Sequence, residues 1–163
     1  MLHNLLSYFT EACPLCDDRN VAVHFTIHVN VLYHFTFVGL QSAIEIVQVV
    51  YARKTKPITM PDQVYLTLAP SHTKGRLVEL IISPEHLPQG ERVLIIDDFL
   101  ATGATILGLV RLAETAGAKI VGIGTLIEKN FEGGRNALKK VGVPVESLAI
   151  ISSMENNTIT FAE

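Results

Sequence analysis

Apolar and polar residues alternate along Val21–Phe37. Every odd position is apolar (Val21, Val23, Phe25, Ile27, Val29, Val31, Tyr33, Phe35, Phe37), while His24, Thr26, His28, Asn30, His34 and Thr36 occupy most even ones. A period of two turns one face to a core, so this segment is predicted as one long strand or a hairpin broken near Asn30. Asp, Glu, Lys and Arg are missing between Val21 and Ile44, which raises a membrane span. The alternation argues against that, because a lipid-immersed helix has no period of two.

Beyond this stretch the pattern changes. Val47–Ala52 is predicted as a strand, followed by the basic cluster Arg53, Lys54 and Lys56. Gln63–Leu68 and Arg76–Ile82 read as a strand pair around the polar segment Ser71–Gly75. Ser83–Glu91, with two prolines and a glycine, is a connecting loop. Val93–Ile96 is a short, wholly apolar run of the kind buried on both faces of a parallel sheet. Thr105–Ala116 carries apolar residues at helical spacing, with Gly117 beyond it as a C-cap. Ile120–Ile127 is a further strand, and Gly133–Val141 a short helix stopped by Gly142 and Pro144. Val145–Ile151 and Thr158–Phe161 close the series as strands. The alternation of strands and helices predicts an α/β fold, a mainly parallel sheet flanked by helices.

Composition narrows the function classes. The 163 residues suffice for one ordinary domain, and 48% hydrophobic against 18% charged residues is a globular balance. A net charge of −3 and a pI near 6.1 exclude a basic nucleic-acid coat and leave a small polyanionic ligand open. The N-terminus lacks the charged and apolar regions of a signal peptide, so a cytoplasmic location is expected. Cys13 and Cys16 are too few for a disulfide scaffold. With His24 and His28 they resemble a zinc pattern, but the gap from Cys16 to His24 is short and a lone Cys-x-x-Cys is weak, so reduced thiols are the better reading. His72 and His86 stand in polar loops and read as solvated.

The chemistry is concentrated in Val93–Thr105. There an apolar strand leads into two adjacent carboxylates, Asp97 and Asp98, then a small-residue loop, then a helix. Ligands of parallel sheets bind beyond the carboxyl ends of strands, and unpaired N–H groups at a helix N-terminus suit a phosphate. Gly103 permits close backbone approach, and the Thr102 and Thr105 hydroxyls add hydrogen bonds. The carboxylates would repel phosphate; ribose hydroxyls, which are donors, suit them, with magnesium nearby to offset charge. Neither the P-loop nor the Gly-x-Gly-x-x-Gly pattern is present. A solvated strand end followed by a plain turn is the bland alternative, disfavoured by the coincidence of strand, acid pair, loop and helix.

Val93–Thr105 resembles the phosphoribosyl-pyrophosphate motif of type I phosphoribosyltransferases: an apolar run, two acids, then Thr-Gly-small-Thr. Val49–Lys54, Gly122–Lys129 with Asn130-Phe131, and Val145–Ala149 are similar to the xanthine-using bacterial branch, so the likeness covers roughly Val47–Phe161. The resemblance implies that Ala101, Thr102, Gly103, Ala104 and Thr105 bind the 5-phosphate, and Asp97 and Asp98 the ribose hydroxyls. It further implies that Lys129 bonds the purine oxo group with Phe131 close to the ring, and that Arg53, Lys54 and Lys56 meet pyrophosphate, the first two across a homodimer interface. Magnesium would accompany phosphoribosyl pyrophosphate, with no direct protein ligand assigned, and no catalytic residue is assigned. Ala101 replaces the carboxylate of hypoxanthine–guanine enzymes, and Glu128-Lys129-Asn130-Phe131 favours xanthine.

The implied partners are phosphoribosyl pyrophosphate and a purine base, with neither nucleic acid nor membrane. The expected division is a divergent segment over 1–46 and a phosphoribosyltransferase domain over 47–163. Tyr33–Ala43 holds no equivalent of the family's Ser-Gly pyrophosphate loop, and the purine-contacting Asn of xanthine enzymes has no assignable partner. Turnover is therefore expected to suffer more than binding. Two alternatives to an enzyme stay open: a non-catalytic nucleotide-binding module, and a damaged enzyme keeping only the phosphate half.

Overall fold

The computed structural model describes residues 21–26, 49–71 and 75–162. Six strands form the main sheet: β1 (Val21–Thr26), β2 (Val49–Tyr51), β5 (Arg92–Leu100), β6 (Lys119–Lys129), β7 (Val145–Glu155) and β8 (Thr158–Phe161). Their order is β2-β1-β5-β6-β7-β8, parallel except for β8. A separate antiparallel pair, β3 (Tyr65–Ser71) and β4 (Arg76–Ile82), is inserted between β2 and β5. Helix α1 (Ala104–Thr115) joins β5 to β6, and the short α2 (Gly134–Leu138) joins β6 to β7. The expected α/β fold with a mainly parallel sheet is what forms.

The order follows from what each strand can bury. Val93, Leu94, Ile95 and Ile96 are all buried, as an apolar run at the centre of a parallel sheet must be. Strands β1 and β6 flank it, with Thr26 and Thr125 both in register with Asp97. Helix α1 buries Ile106, Leu109, Val110 and Leu112, and packs on the β3–β4 pair as well as on β5 and β6. Arg53 ties that pair to the end of β2 by exchanging backbone hydrogen bonds with Ile81, each 2.8 Å.

Several boundaries differ from expectation. Strand β5 does not stop at the acid pair; it continues through Asp97, Asp98 and Phe99 to Leu100, because β6 beside it runs on to Lys129 and keeps the ladder occupied. Strand β7 extends to Glu155 because Asn156 and Asn157, both at positive φ, make the two-residue turn that folds β8 back on it. The predicted helix over Gly133–Val141 divides into α2 and a 3-10 turn, Lys139–Val141. Of the alternating segment only β1 falls among the described residues, and it contributes to the sheet from ahead of residue 47. The hairpin alternative near Asn30, Cys13, Cys16, His28 and His72 lie outside them. His86 is exposed in a 3-10 turn, as expected of a solvated residue.

Candidate active site

With the β3–β4 insertion set aside, the parallel strands follow the order 2-1-3-4-5. From β1 the chain runs outward to β2, and from β5 it runs the other way to β6 and β7. The crevice at such a reversal, beyond the carboxyl ends of β1 and β5, is where doubly wound sheets bind ligands. Strand β5 delivers Asp97 and Asp98 toward that crevice.

Asp97 is only 4% exposed, and its Oδ1 accepts the Asp98 backbone N–H at 3.1 Å. Burial, and then the neighbouring Asp98 charge, push its carboxyl well above the usual carboxylate range, and Lys54 opposes this from the end of β2. A buried acid so poorly compensated suits ligand hydroxyls, which donate to it. Asp98 is half-buried.

The chain then passes Ala101 and Thr102 into Gly103, which has φ +79° and lies just before α1. That left-handed conformation is easy only for glycine. The Gly103 carbonyl accepts the Leu107 N–H at 2.9 Å, so α1 starts at once, with Ala104 and Thr105 half-buried in its first turn. A loop leading into a helix start in this way presents backbone N–H groups of the kind that suit an anion. Gly134, the first residue of α2, lies against this loop so closely that a Cβ there would collide with the Ala101 carbonyl and sit 2.9 Å from the Gly103 nitrogen.

Lys129 ends β6 and projects over Phe99, its ammonium 5.2 Å from the ring centroid and 3.0 Å from the Glu132 carboxylate. The 3-10 turn Asn130–Glu132 carries Phe131, which is half-exposed and available to a ring. Beneath this turn Glu128 is 1% exposed and held by Arg135: Nε donates to both carboxylate oxygens at 2.9 and 3.1 Å, and Nη2 to Oε2 at 2.6 Å. Arg135 Nη1 also donates to the Val145 carbonyl, and Ser147 Oγ donates to Glu128 at 2.7 Å. Burial alone would raise the Glu128 pKa, but the hydrogen bonds from Arg135 and Ser147 outweigh it and hold the carboxyl below its ordinary range.

The chain matches the model of the phosphoribosyl transferase domain over residues 31–161. The chain belongs to this phosphoribosyltransferase family. It is 42% identical to the xanthine phosphoribosyltransferase of Listeria innocua over 146 residues, 90% of this chain and 74% of that one. It is 47% identical to that of Bacillus cereus over 126 residues, 77% of this chain and 64% of the relative. Among solved structures, the adenine phosphoribosyltransferase of Rhodothermus marinus superposes with a TM-score of 0.69 at 25% identity, covering 92% of this chain and 79% of that one. That of Thermoanaerobacter pseudethanolicus gives 0.66 at 26%, covering 91% and 77%. The resemblance noted in the sequence is thus borne out at the level of family and fold.

The family motif places Asp97, Asp98 and Ala101–Thr105 at the carboxyl end of the interior strand β5, with the Lys54 charge acting on Asp97 and Lys129 beside Phe99. Of the other basic residues expected to meet pyrophosphate, Lys56 pairs with Asp62 at 3.3 Å on the surface, and Arg53 is exposed. Sequence reasoning missed Phe99, Glu132, Gly134 and the Glu128–Arg135–Ser147 group. The adjacent glycines Gly133 and Gly134 were the signal for a close backbone approach.

Proposed function

We propose that this protein transfers the phosphoribosyl group of phosphoribosyl pyrophosphate to xanthine or a related oxo-purine, giving the nucleoside monophosphate, XMP for xanthine, and pyrophosphate. The observation that carries this reading is the path from the buried Asp97 through left-handed Gly103 into α1 at the sheet's reversal point. The relatives named as xanthine enzymes support the choice of base, although the structural neighbours are adenine enzymes.

In this reading the N–H groups of Ala101–Thr105 and the Thr102 and Thr105 hydroxyls hold the 5-phosphate, while Asp97 and Asp98 accept hydrogen bonds from the ribose hydroxyls. Lys129 donates to the purine oxo group, and Phe131 covers the ring. A purine nitrogen attacks C1 of the ribose as the bond from C1 to the pyrophosphate oxygen breaks, and both electrons leave with pyrophosphate. The acid pair faces the sugar, where positive charge grows in an oxocarbenium-like transition state, and the protein's main contribution is position and charge complementarity. Lys54, with Arg53 and Lys56, meets the departing pyrophosphate.

Magnesium fits the hard oxygen donors of the acid pair, one of them deeply buried and short of compensating charge. No three His, Cys, Asp or Glu side chains converge among the described residues, so substrate oxygens would supply most of its ligands. When bound, it would neutralise charge on the pyrophosphate. The same reading takes 47–163 as the portion bearing the substrate contacts, with β1 added from the divergent 1–46. It also takes the protein as a homodimer of the cytoplasm. No described helix is long and apolar enough to cross a membrane.

The test is to incubate the protein with phosphoribosyl pyrophosphate, magnesium and xanthine, guanine, hypoxanthine or adenine in turn, and to separate the products. Nucleotide formed fastest from xanthine is the expected result. Binding of ribose 5-phosphate without nucleotide from any base would instead indicate a binding module.

A further inference from the structure

The Lys129–Glu132 pair has a use beyond the oxo contact already assigned to Lys129. Strand β6 ends at Lys129, and the 3-10 turn Asn130–Glu132 brings residue 132 back beside residue 129, as the three-residue repeat of that helix requires. The Lys129 ammonium lies 3.0 Å from Glu132 Oε1, and the two side chains are only 26% and 23% exposed. Two features hold the pair toward the crevice: Lys129 stands over Phe99, two residues on from Asp97, and Gly134, two residues past Glu132, abuts the phosphate loop. A donor and an acceptor are therefore presented side by side, next to Phe99 of the strand that carries the acid pair.

We infer that Glu132 is a specificity-determining residue, its carboxylate accepting the N1–H of a purine whose 6-oxo group accepts from Lys129. The ligand class is a purine with a lactam edge, an acceptor at position 6 next to a donor at N1. Xanthine, hypoxanthine and guanine present that order, whereas adenine presents the reverse, an amino donor at 6 and a bare acceptor at N1. Adenine seated in the same register would set its N1 lone pair against a carboxylate and its amino group against an ammonium. Partly desolvated sites built around a substrate N–H reject analogues that lack it, because the site's own polar group is left unpaired. The inference rests on the proposed function and adds a second contact to it.

The sharpest probe is 1-methylxanthine, which keeps the 6-oxo group and loses the N1 proton. Values of kcat/KM are compared for xanthine, 1-methylxanthine and adenine in the parent protein, Glu132→Ala and Glu132→Gln. The parent is expected to prefer xanthine over 1-methylxanthine about tenfold or more, the size of one hydrogen bond to a charged group. Glu132→Ala should reduce that ratio to near unity. Glu132→Gln, whose amide can donate to N1, should raise adenine relative to xanthine. Calorimetric titration with ribose 5-phosphate should give the same affinity in all three proteins, which a general loss of structure would not. Unchanged base ratios in both variants, with xanthine still a substrate of the parent, would overturn the role of Glu132 alone. A parent that makes no nucleotide from any oxo-purine would overturn the functional reading with it.

Discussion

Arg135 grips Glu128 through Nε and Nη2 while its Nη1 reaches the Val145 carbonyl, so one side chain closes the loop between β6 and α2 and fastens it to β7. The six residues between Glu128 and Arg135 include Lys129, Phe131 and Glu132. Arg135→Met would leave Glu128 buried and unpaired, which is expected to cost about 3 kcal/mol, the low end for a broken buried pair because the guanidinium is 37% exposed. Urea unfolding should show a lower midpoint at unchanged slope. Arg135→Lys should recover only part of the loss, since an ammonium cannot make the forked contact. The Glu128 pKa is lowered by folding, so its contribution is present above the ordinary carboxylate range and fades as pH falls through the folded value. The deficit of Arg135→Met should shrink accordingly in acid.

Gly134 joins the two halves of the site. A methyl group there meets the Ala101 carbonyl and the Gly103 nitrogen, both backbone, so no rotamer change relieves it. Gly134→Ala is expected to destabilise the protein by roughly 1–3 kcal/mol and to abolish the melting shift produced by ribose 5-phosphate. Differential scanning calorimetry with and without that ligand measures both.

Asp97 contributes in the opposite sense from Glu128. Its pKa is raised by burial and by Asp98, so the native state holds the proton more tightly than the unfolded chain does. Stability of the free protein should therefore decline as pH rises from the ordinary carboxylate range through the folded value. Asp97→Asn removes that titration, and its stability relative to the parent should grow across the same window. The variant should also bind ribose 5-phosphate more weakly, because an amide accepts less strongly from a hydroxyl. Parallel stability curves for the two proteins over this pH range would contradict the assignment.

Lys129 donates hydrogen bonds and accepts none, so it favours an oxo group over an amino group. Lys129→Ala should reduce the preference for xanthine over adenine by about 1.5–3 kcal/mol, read as the ratio of their kcat/KM values. An unchanged ratio would show that the base sits elsewhere.

The parallel core was legible because its cause is local. Val93–Ile96 is apolar without interruption, and the 3.6-residue spacing from Ile106 to Ala113 survives in α1. The acid pair and Gly103 were legible for the same reason: strand, carboxylates, loop and helix follow one another in the chain. What was hidden depends on partners distant in sequence. Nothing near Asp97 says that β5 runs on to Leu100; that depends on β6 being long enough to pair with it. Arg135 could not be picked out in the sequence, because its partners Glu128, Val145 and Ser147 come from two different strands. The surface pair of Lys56 with Asp62, six residues on, was likewise not read from the sequence.

The register of Thr26 with Asp97 also bears on how the protein reaches its native state. One wall of the crevice is emitted early in synthesis and the other only after the inserted β3–β4 pair, so the two meet through a contact that is distant in sequence and slow to close. A sugar phosphate spanning that crevice has nothing complete to bind until β5 has docked between β1 and β6. Ligand added during refolding should thus leave early collapse unaltered and slow unfolding of the finished sheet, acting as a lock on the last step.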